Sequence, residues 1–331
     1  MTIKKYDSHA DWLKDRRAST RLGATDAAAI MGEAFGRTAW DVWLDKRDPA
    51  GVKEVEPSVQ MRLGLAAEPW ALEWLARGDR IPSGWDIVPG PWAVEAGVLR
   101  ASPDALLMDA DGLHGLVEIK ASAPWNRDKW AANGTICSGP LADWPVYPCP
   151  PGYLWQVMTQ AAAMLVGGGL VEGLTPAVYL VAVFLEPVAA GLVLADDLPP
   201  VAVHEVRVIE INFDAADLRD WFDRLTRWHA KHIVEGVEPP RDGSDACRRW
   251  HLDPSRFPRS EVREATADEA ARIAAILDAR AAEAASEAQR RPQEAELIAM
   301  MGRAKTVKCP AGKATISAAG RLTITASKQE S

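Results

Sequence analysis

The sequence predicts an α/β fold in which a mixed β-sheet is flanked by helices and followed by a C-terminal appendage. Three observations predict it. Strand-like and helix-like apolar patterns alternate in the order helix, strands, helix, strands, helix, and such alternation builds layered α/β cores. A chain of 331 residues with 48% hydrophobic residues can bury a full core. Beyond "EPPRDGSDACRRW" the composition shifts to Ala, Glu and Arg. We therefore divide the chain into a domain over 1–245 and a helical module with a short hairpin over 246–331.

Taken in order, residues 24–32, ATDAAAIMG, read as a short helix that Thr25 or Asp26 can cap and Gly32 ends, leaving free backbone N–H groups at its start. Residues 59–77 carry Met61, Leu65, Leu72 and Leu75 at helical spacings, with Trp70 and Trp74 adding bulk and Pro69 predicting a bend. Strands follow at 99–102, 105–108 and 115–120, the last two joined by a turn at "DADG". The Gly- and Pro-rich stretch 133–152 predicts a loop. A helix is expected from Tyr153 to about Val166, ended by the triple glycine 167–169, and then strands at 177–185 and 201–211 around an irregular "ADDLPP" insert. Asp214 caps an amphipathic helix whose apolar face includes Leu218, Trp221, Phe222, Leu225 and Ile233. In the appendage, Thr266 and Glu269 form a capping box for a helix over 266–290 that stops before Pro292, and a second short helix and a hairpin complete the chain. This module predicts partner or oligomer contacts, or a solvated helical tail.

The bulk numbers exclude several classes. The net charge of −8 argues against coating nucleic acid by bulk electrostatics, although local basic clusters exist in "KDRRASTR" and "WNRDKW". Cys137, Cys149, Cys247 and Cys309 form no CxxC pair and give neither a zinc spacing nor a disulfide framework, and they lie too far apart for the usual iron–sulfur spacing. The first residues show no apolar stretch of signal-peptide length, and the most apolar later run is interrupted by Glu186 and Pro187, so neither secretion nor a membrane is expected. The expected compartment is a reducing cytoplasm.

The chemistry lies in "SPDALLMDADGLHGLVEIK". Asp104 stands at the head of one strand, and Glu118 and Lys120 sit two apart on the next, so that both point to the same face. A hairpin brings Asp104 and Glu118 together, and two carboxylates at one spot repel unless a cation lies between them. Hard oxygen ligands suit Mg²⁺, which can activate water and neutralise a phosphate, with Lys120 placing the nucleophile or stabilising developing charge. An alternating EIK also suits the solvent face of any half-exposed strand, and SPD is a routine turn opening; it is their order and hairpin spacing that favour chemistry.

With "GATDAAAIMG", "GLAAEP", "ASPDALL", "LVEIK" and "YLWQVMTQ" in this order, residues 10 to 235 resemble the YqaJ viral recombinase family, which includes lambda exonuclease and belongs to the PD-(D/E)xK nucleases. The resemblance implies a restriction-endonuclease-like core. It also implies that Glu68, Asp104 and Glu118 hold metal ions together with the carbonyl of Ile119, and that Lys120 and Gln156 arrange the nucleophile. Gln160, one turn on, continues the face of Gln156, and Tyr153 reads as a packing aromatic. Thr25 would hold a DNA 5′ phosphate with an upstream arginine. Arg16, Arg17 and Arg21 compete for that place, with Arg17 favoured. The long loop between Lys120 and Tyr153 departs from the family pattern; its Trp125, Trp130 and Trp144 read as loop anchors or as stacking groups for bases. His114, Asp109 and Asp111 are assigned to the turn.

The function so implied is a Mg²⁺-dependent 5′–3′ exonuclease of phage-type recombination, with Mn²⁺ able to substitute, acting on double-stranded DNA ends to leave 3′ overhangs. The family implies a homo-oligomeric ring and a single-strand annealing protein as partner, in the cytoplasm of a bacterial host. Two other readings stand beside it: an endonuclease on the same core, and a DNA-end-binding module without turnover.

Overall fold

The computed structural model describes residues 2–34, 36–47, 56–78, 80–168, 170, 174–260, 262–317 and 320–326. Contacts within the chain define two compact units, Met1–Phe257 and Pro258–Ser331.

In the first unit the order is β1 (Thr2–Lys5), α1 (His9–Ala18), β2 (Leu22–Gly23), α2 (Ala24–Ile30), α3 (Ala39–Arg47), α4 (Val59–Ala76), β3 (Asp86–Pro89), β4 (Trp92–Ala96), β5 (Leu99–Ala101), β6 (Ala105–Asp109), β7 (Gly112–Ser122), β8 (Ile136–Gly139), α5 (Pro151–Gly167), β9 (Ala177–Leu192), β10 (Val201–Phe213), α6 (Ala215–His229) and α7 (Asp245–Leu252). The main sheet has the order β3-β6-β7-β9-β10-β8 and is mixed: β7 runs parallel to β9 and β8 parallel to β10, while the other pairs are antiparallel. A second sheet has the order β1-β4-β5-β2. The expected mixed sheet flanked by helices is thus present, with a small second sheet beside it.

Strand β7 reads as a near-continuous apolar run because both of its faces are covered. Leu116 joins the core formed with Leu154, Val157 and Ala161 of α5, while Val117 and Ile119 join Leu63, Ala67 and Leu75 of α4 on the other face. Period-two alternation therefore places Glu118 and Lys120 on the α5 side. Helix α6 closes over α5 through buried Leu218, Trp221 and Leu225, and the Trp221 indole donates to the Thr159 hydroxyl at 2.9 Å.

Several expectations change. Helix α2 begins at Ala24, so its N-cap position is Gly23 and not Thr25 or Asp26; Asp26 contributes from within the first turn, its carboxylate accepting the Gly23 N–H at 2.7 Å. The stretch 133–152 is not wholly loop: β8 pairs with the end of β10, where a free strand edge satisfies its backbone groups. Helix α4 continues through Pro69, which removes one backbone donor without ending the helix. Helix α5 closes at Gly168, which adopts a left-handed conformation (φ 72°), and Gly169 lies outside the described residues. The first unit extends past residue 245 to Phe257 because α7 packs against α3, with Trp40 and Trp43 buried beside Ala246 and Cys247.

The second unit holds α8 (Ala267–Met301) and the strands β11 (Thr306–Cys309), β12 (Gly312–Ile316) and β13 (Leu322–Ala326). The capping box of Thr266 and Glu269 opens α8, but the helix does not stop before Pro292; it runs through it as one element of 35 residues. The expected hairpin is a three-stranded meander, β11-β12-β13. Among the described residues no helix is long and apolar enough to cross a membrane.

Gly115 shows how closely β7 is held. A Cβ there would lie 2.0 Å from the backbone oxygen of Ala177 on β9. Gly115→Ala is expected to destabilise the protein by roughly 1–3 kcal/mol through this overpacking, read as a lowered denaturant midpoint.

Candidate active site

Glu118 is buried at 2% exposure, and its carboxylate is held from three sides. Lys120 Nζ lies 2.5 Å from Oε1, the Gln156 amide donates to the same oxygen, and the Gln160 amide donates to Oε2 at 2.7 Å. The two glutamines are one helical turn apart on α5 and so face the same strand. The role of Gln160 is legible only in three dimensions; its sequence signal is the four-residue spacing from Gln156.

Asp104 reaches the same spot from the segment between β5 and β6. Its Oδ2 accepts the backbone N–H of Ile119 at 2.6 Å, which ties the head of β6 to the middle of β7. Burial and the nearby charges of Glu118 and Glu68 push its carboxyl well above the usual carboxylate range, against the opposing pull of Lys120 and the Ile119 N–H. Glu68, carried in by α4, is pushed up to about 7 by burial and then by Glu118. Lys120 behaves oppositely: burial would lower it, but Glu118 and Asp104 raise it above the ordinary lysine value, so its ammonium keeps its charge. Its Nζ stands 5.5 Å from the Tyr153 ring centroid, which gives that packing aromatic a place beside the site.

Among the described residues no three His, Cys, Asp or Glu side chains form a cluster that could hold a metal ion. The donor chemistry nonetheless suits a hard cation. Glu68, Asp104 and Glu118 are oxygen donors; burial first and mutual repulsion second raise two of the carboxyls, and a divalent ion would relieve such repulsion.

The same cavity, about 810 Å³, extends to the start of α2 and is lined by Arg16, Arg17, Thr25, Glu68, Asp104, Glu118 and Gln156 among others. Thr25 has no capping duty, and its hydroxyl accepts from Arg16 Nη2 at 3.3 Å. Of the three competing arginines, Arg16 is thus the one that reaches Thr25. Arg17 lines the cavity, while Arg21 donates to the Gly97 carbonyl at 3.1 Å and pairs with Glu95 at 3.4 Å. Beneath Thr25, buried Asp26 is braced by Arg37 and by Lys46 at 3.1 Å, and although burial would raise its carboxyl, Lys46 and Arg37 hold it down to about 2.

Helix α1, which carries Arg16, is fixed by its own contacts. Trp12 donates to the Ser102 hydroxyl at 3.0 Å, two residues before Asp104, and buried Arg100 on β5 donates to Asp15 at 2.9 Å, to Glu95 at 2.8 Å and to the Tyr6 hydroxyl at 2.7 Å. Sequence reading did not single out this network, because its members come from four separate stretches. Of the loop tryptophans, Trp130 is buried and Trp125 is exposed at 74%, and Trp144 stacks on Phe213 with centroids 5.9 Å apart. His114 is not a plain turn residue: it is buried on β7, stacks on Trp85 and lies 2.7 Å from Asp109.

The raised Glu68 carboxyl has a consequence for stability. The folded state favours its protonated form, so the penalty is absent below the unfolded value near 4.5 and grows as pH rises through about 7. Glu68→Gln is therefore expected to stabilise the metal-free protein by roughly 1–2 kcal/mol at pH 8, with the gain vanishing below pH 4.5. Urea denaturation of both proteins across this range checks it.

Comparison with known proteins places these residues. Residues 11–164 match the family model of the YqaJ-like viral recombinase domain. Among solved structures, LHK-Exo in complex with dAMP is 19% identical over 68% of this chain and 93% of its own, with a TM-score of 0.42. A Eubacterium rectale protein provisionally named an exonuclease is 12% identical over 80% of this chain and 97% of its own, with a TM-score of 0.39. No curated protein matches the chain. The match spans Arg16, Thr25, Glu68, Asp104, Glu118, Lys120 and Gln156, and the ordered motifs that carry them agree with it: residues 11–164 are similar to the YqaJ-like viral recombinase domain.

Proposed function

We propose that the protein is a Mg²⁺-dependent exonuclease that degrades double-stranded DNA from a 5′ end and leaves a 3′ overhang. The observation that carries this reading is one cavity lined by Glu68, Asp104 and Glu118, the last paired with Lys120, and also by the Arg16–Thr25 pair. A terminal phosphate, with more negative charge than an internal one, suits a pocket of arginines and a hydroxyl. An enzyme that cuts within a strand has no need of such a pocket.

Glu68, Asp104 and Glu118, with the Ile119 carbonyl, are the groups that would hold Mg²⁺, with Mn²⁺ able to substitute. When bound, the ion would supply an activated water and neutralise charge on the scissile phosphate. The chain's own residues have separate tasks. Lys120 keeps its ammonium and so serves as a fixed positive charge for the pentacoordinate phosphorus, not as a base. Gln156 and Gln160 fix the Glu118 carboxylate, and Gln156 lines the cavity where a water or phosphate oxygen would sit. Arg16 and Thr25 orient the end, so that successive nucleotides present the same bond to the same groups. A homo-oligomeric ring, a single-strand annealing partner and a bacterial cytoplasmic setting belong to this reading on the strength of the family resemblance.

The direct test is digestion of linear duplex DNA with Mg²⁺, each strand labelled separately and each 5′ end either phosphorylated or not. Loss from the phosphorylated 5′ end is expected; cutting of covalently closed circles instead would replace the reading with an endonuclease. Lys120→Ala should lower turnover by about 10²-fold or more while end binding persists. Arg16→Ala combined with Thr25→Ala should reduce the preference for 5′-phosphate over 5′-hydroxyl ends at least about tenfold, the loss of one or two charge-assisted hydrogen bonds. An unchanged preference would remove this pocket from the reading.

A further inference from the structure

The meander of the second unit carries a charge pattern that neither the fold nor the site explains. Residues 302–326 contain five cations, Arg303, Lys305, Lys308, Lys313 and Arg321, and no carboxylate, in a chain whose net charge is −8. Strand register sorts the side chains by face. Thr306 faces Thr315 and Lys308 faces Lys313 across β11 and β12, while Lys313 faces Thr325 and Thr315 faces Thr323 across β12 and β13. One face of the meander is thus a ladder of lysines and threonines. The other presents Val307, Ala314, Ile316, Leu322 and Ile324.

The polar face is exposed at Thr306, Lys308, Lys313, Thr323 and Thr325. Lys308 and Lys313 stand directly opposite each other, an arrangement that destabilises a strand pair unless something offsets the like charges. Among the described residues no carboxylate pairs with any of the five cations. On and just before the adjoining helix, several arginines are handled differently: Arg263, ahead of α8, pairs with Glu269 at 2.7 Å, and on α8 Arg290 pairs with Glu294 at 2.5 Å and Arg291 with Glu287 at 2.7 Å. Arg290 and Arg291 on α8 are thus neutralised within the chain, whereas the cations on the meander are left for an external anion.

From this we infer that the lysine–threonine face of β11-β12-β13 is a second nucleic-acid contact, which binds the phosphate backbone of duplex DNA without reading its sequence. Repeated anions opposite a cationic ladder with hydroxyl donors match a phosphodiester backbone, and each phosphate neutralised releases a counterion. Residues 258–331 contain no Phe, Tyr or Trp, so the surface lacks the stacking platforms by which unpaired bases are held. That selects duplex over single-stranded DNA. The choice of DNA rests on the nuclease reading; the anion-binding face itself stands on register and charge.

The test compares wild type with the full-length variant K305Q/K308Q/K313Q/R321Q, and with R290Q/R291Q as a control in which self-paired arginines are neutralised. Binding to a blunt 30-base-pair duplex and to a single strand of the same length is measured without divalent metal over a range of salt, with circular dichroism to verify folding. The quadruple variant should bind the duplex at least about tenfold more weakly near physiological salt, and its slope of log affinity against log salt should be shallower by about two to four. The control should match wild type. Wild-type affinity and slope in the quadruple variant would overturn the proposal, and so would a loss confined to single strands. Cleavage with Mg²⁺ separates the two readings: a wild type that loses duplex affinity on substitution but never cuts sinks the nuclease alone, whereas a protein that cuts and shows no change in binding sinks this face alone.

Discussion

Glu118 is a carboxylate carried into a layered α/β core, and the site is organised around keeping it there. An ionised carboxylate buried at this depth is costly unless its oxygens are met by donors. Here they are met by a lysine two residues on and by two glutamines from α5. The pairing fixes more than one side chain: it sets the rotation of α5 relative to β7, it keeps Lys120 charged, and it places a negative field against which Asp104 and Glu68 must ionise. The unfavourable ionisation of those two acids is the repulsion that, on the proposed reading, a divalent cation would relieve.

The second feature of the site is that its two ends rest on different supports. The carboxylates come from the main sheet and α4, both built on apolar packing. The Arg16–Thr25 end comes from α1 and α2, which are fixed by polar contacts: Trp12 to Ser102, Asp15 to Arg100, and Asp26 to Arg37 and Lys46. Strand β5 serves both ends, since it bears Arg100 and runs directly into Ser102, Pro103 and Asp104. The carboxylate end and the arginine end of the cavity are therefore kept in register by the four-residue step from Arg100 to Asp104, which an extended chain covers in roughly 14 Å at most.

Charge is distributed to the same end. A net charge of −8 would keep a polyanion at a distance, so attraction must be local. On the proposed reading, arginines around the cavity would supply it in the first unit, and the lysine–threonine face in the second. On the long α8, by contrast, Arg290 and Arg291 are each paired with a glutamate one turn away.

What the sequence by itself determined was whatever is local or periodic. The alternation of apolar patterns announced the mixed sheet, the two-residue spacing of Glu118 and Lys120 put them on one face, and the capping box at Thr266 and Glu269 opened α8 as read. Local rules failed where a neighbour supplied or removed a partner. The Gly23 N–H found Asp26, and Gly23 rather than Thr25 stands at the N-cap; an open edge on β10 made a strand of 136–139; and Pro292 did not end a helix whose exposed carbonyls water can satisfy. Only the tertiary structure could bring Arg16 onto Thr25, bring Gln160 onto Glu118, or tie α1 to Ser102, two residues before Asp104. Those contacts link residues far apart in the chain, and their energies depend on burial and distance, neither of which exists until the chain has folded.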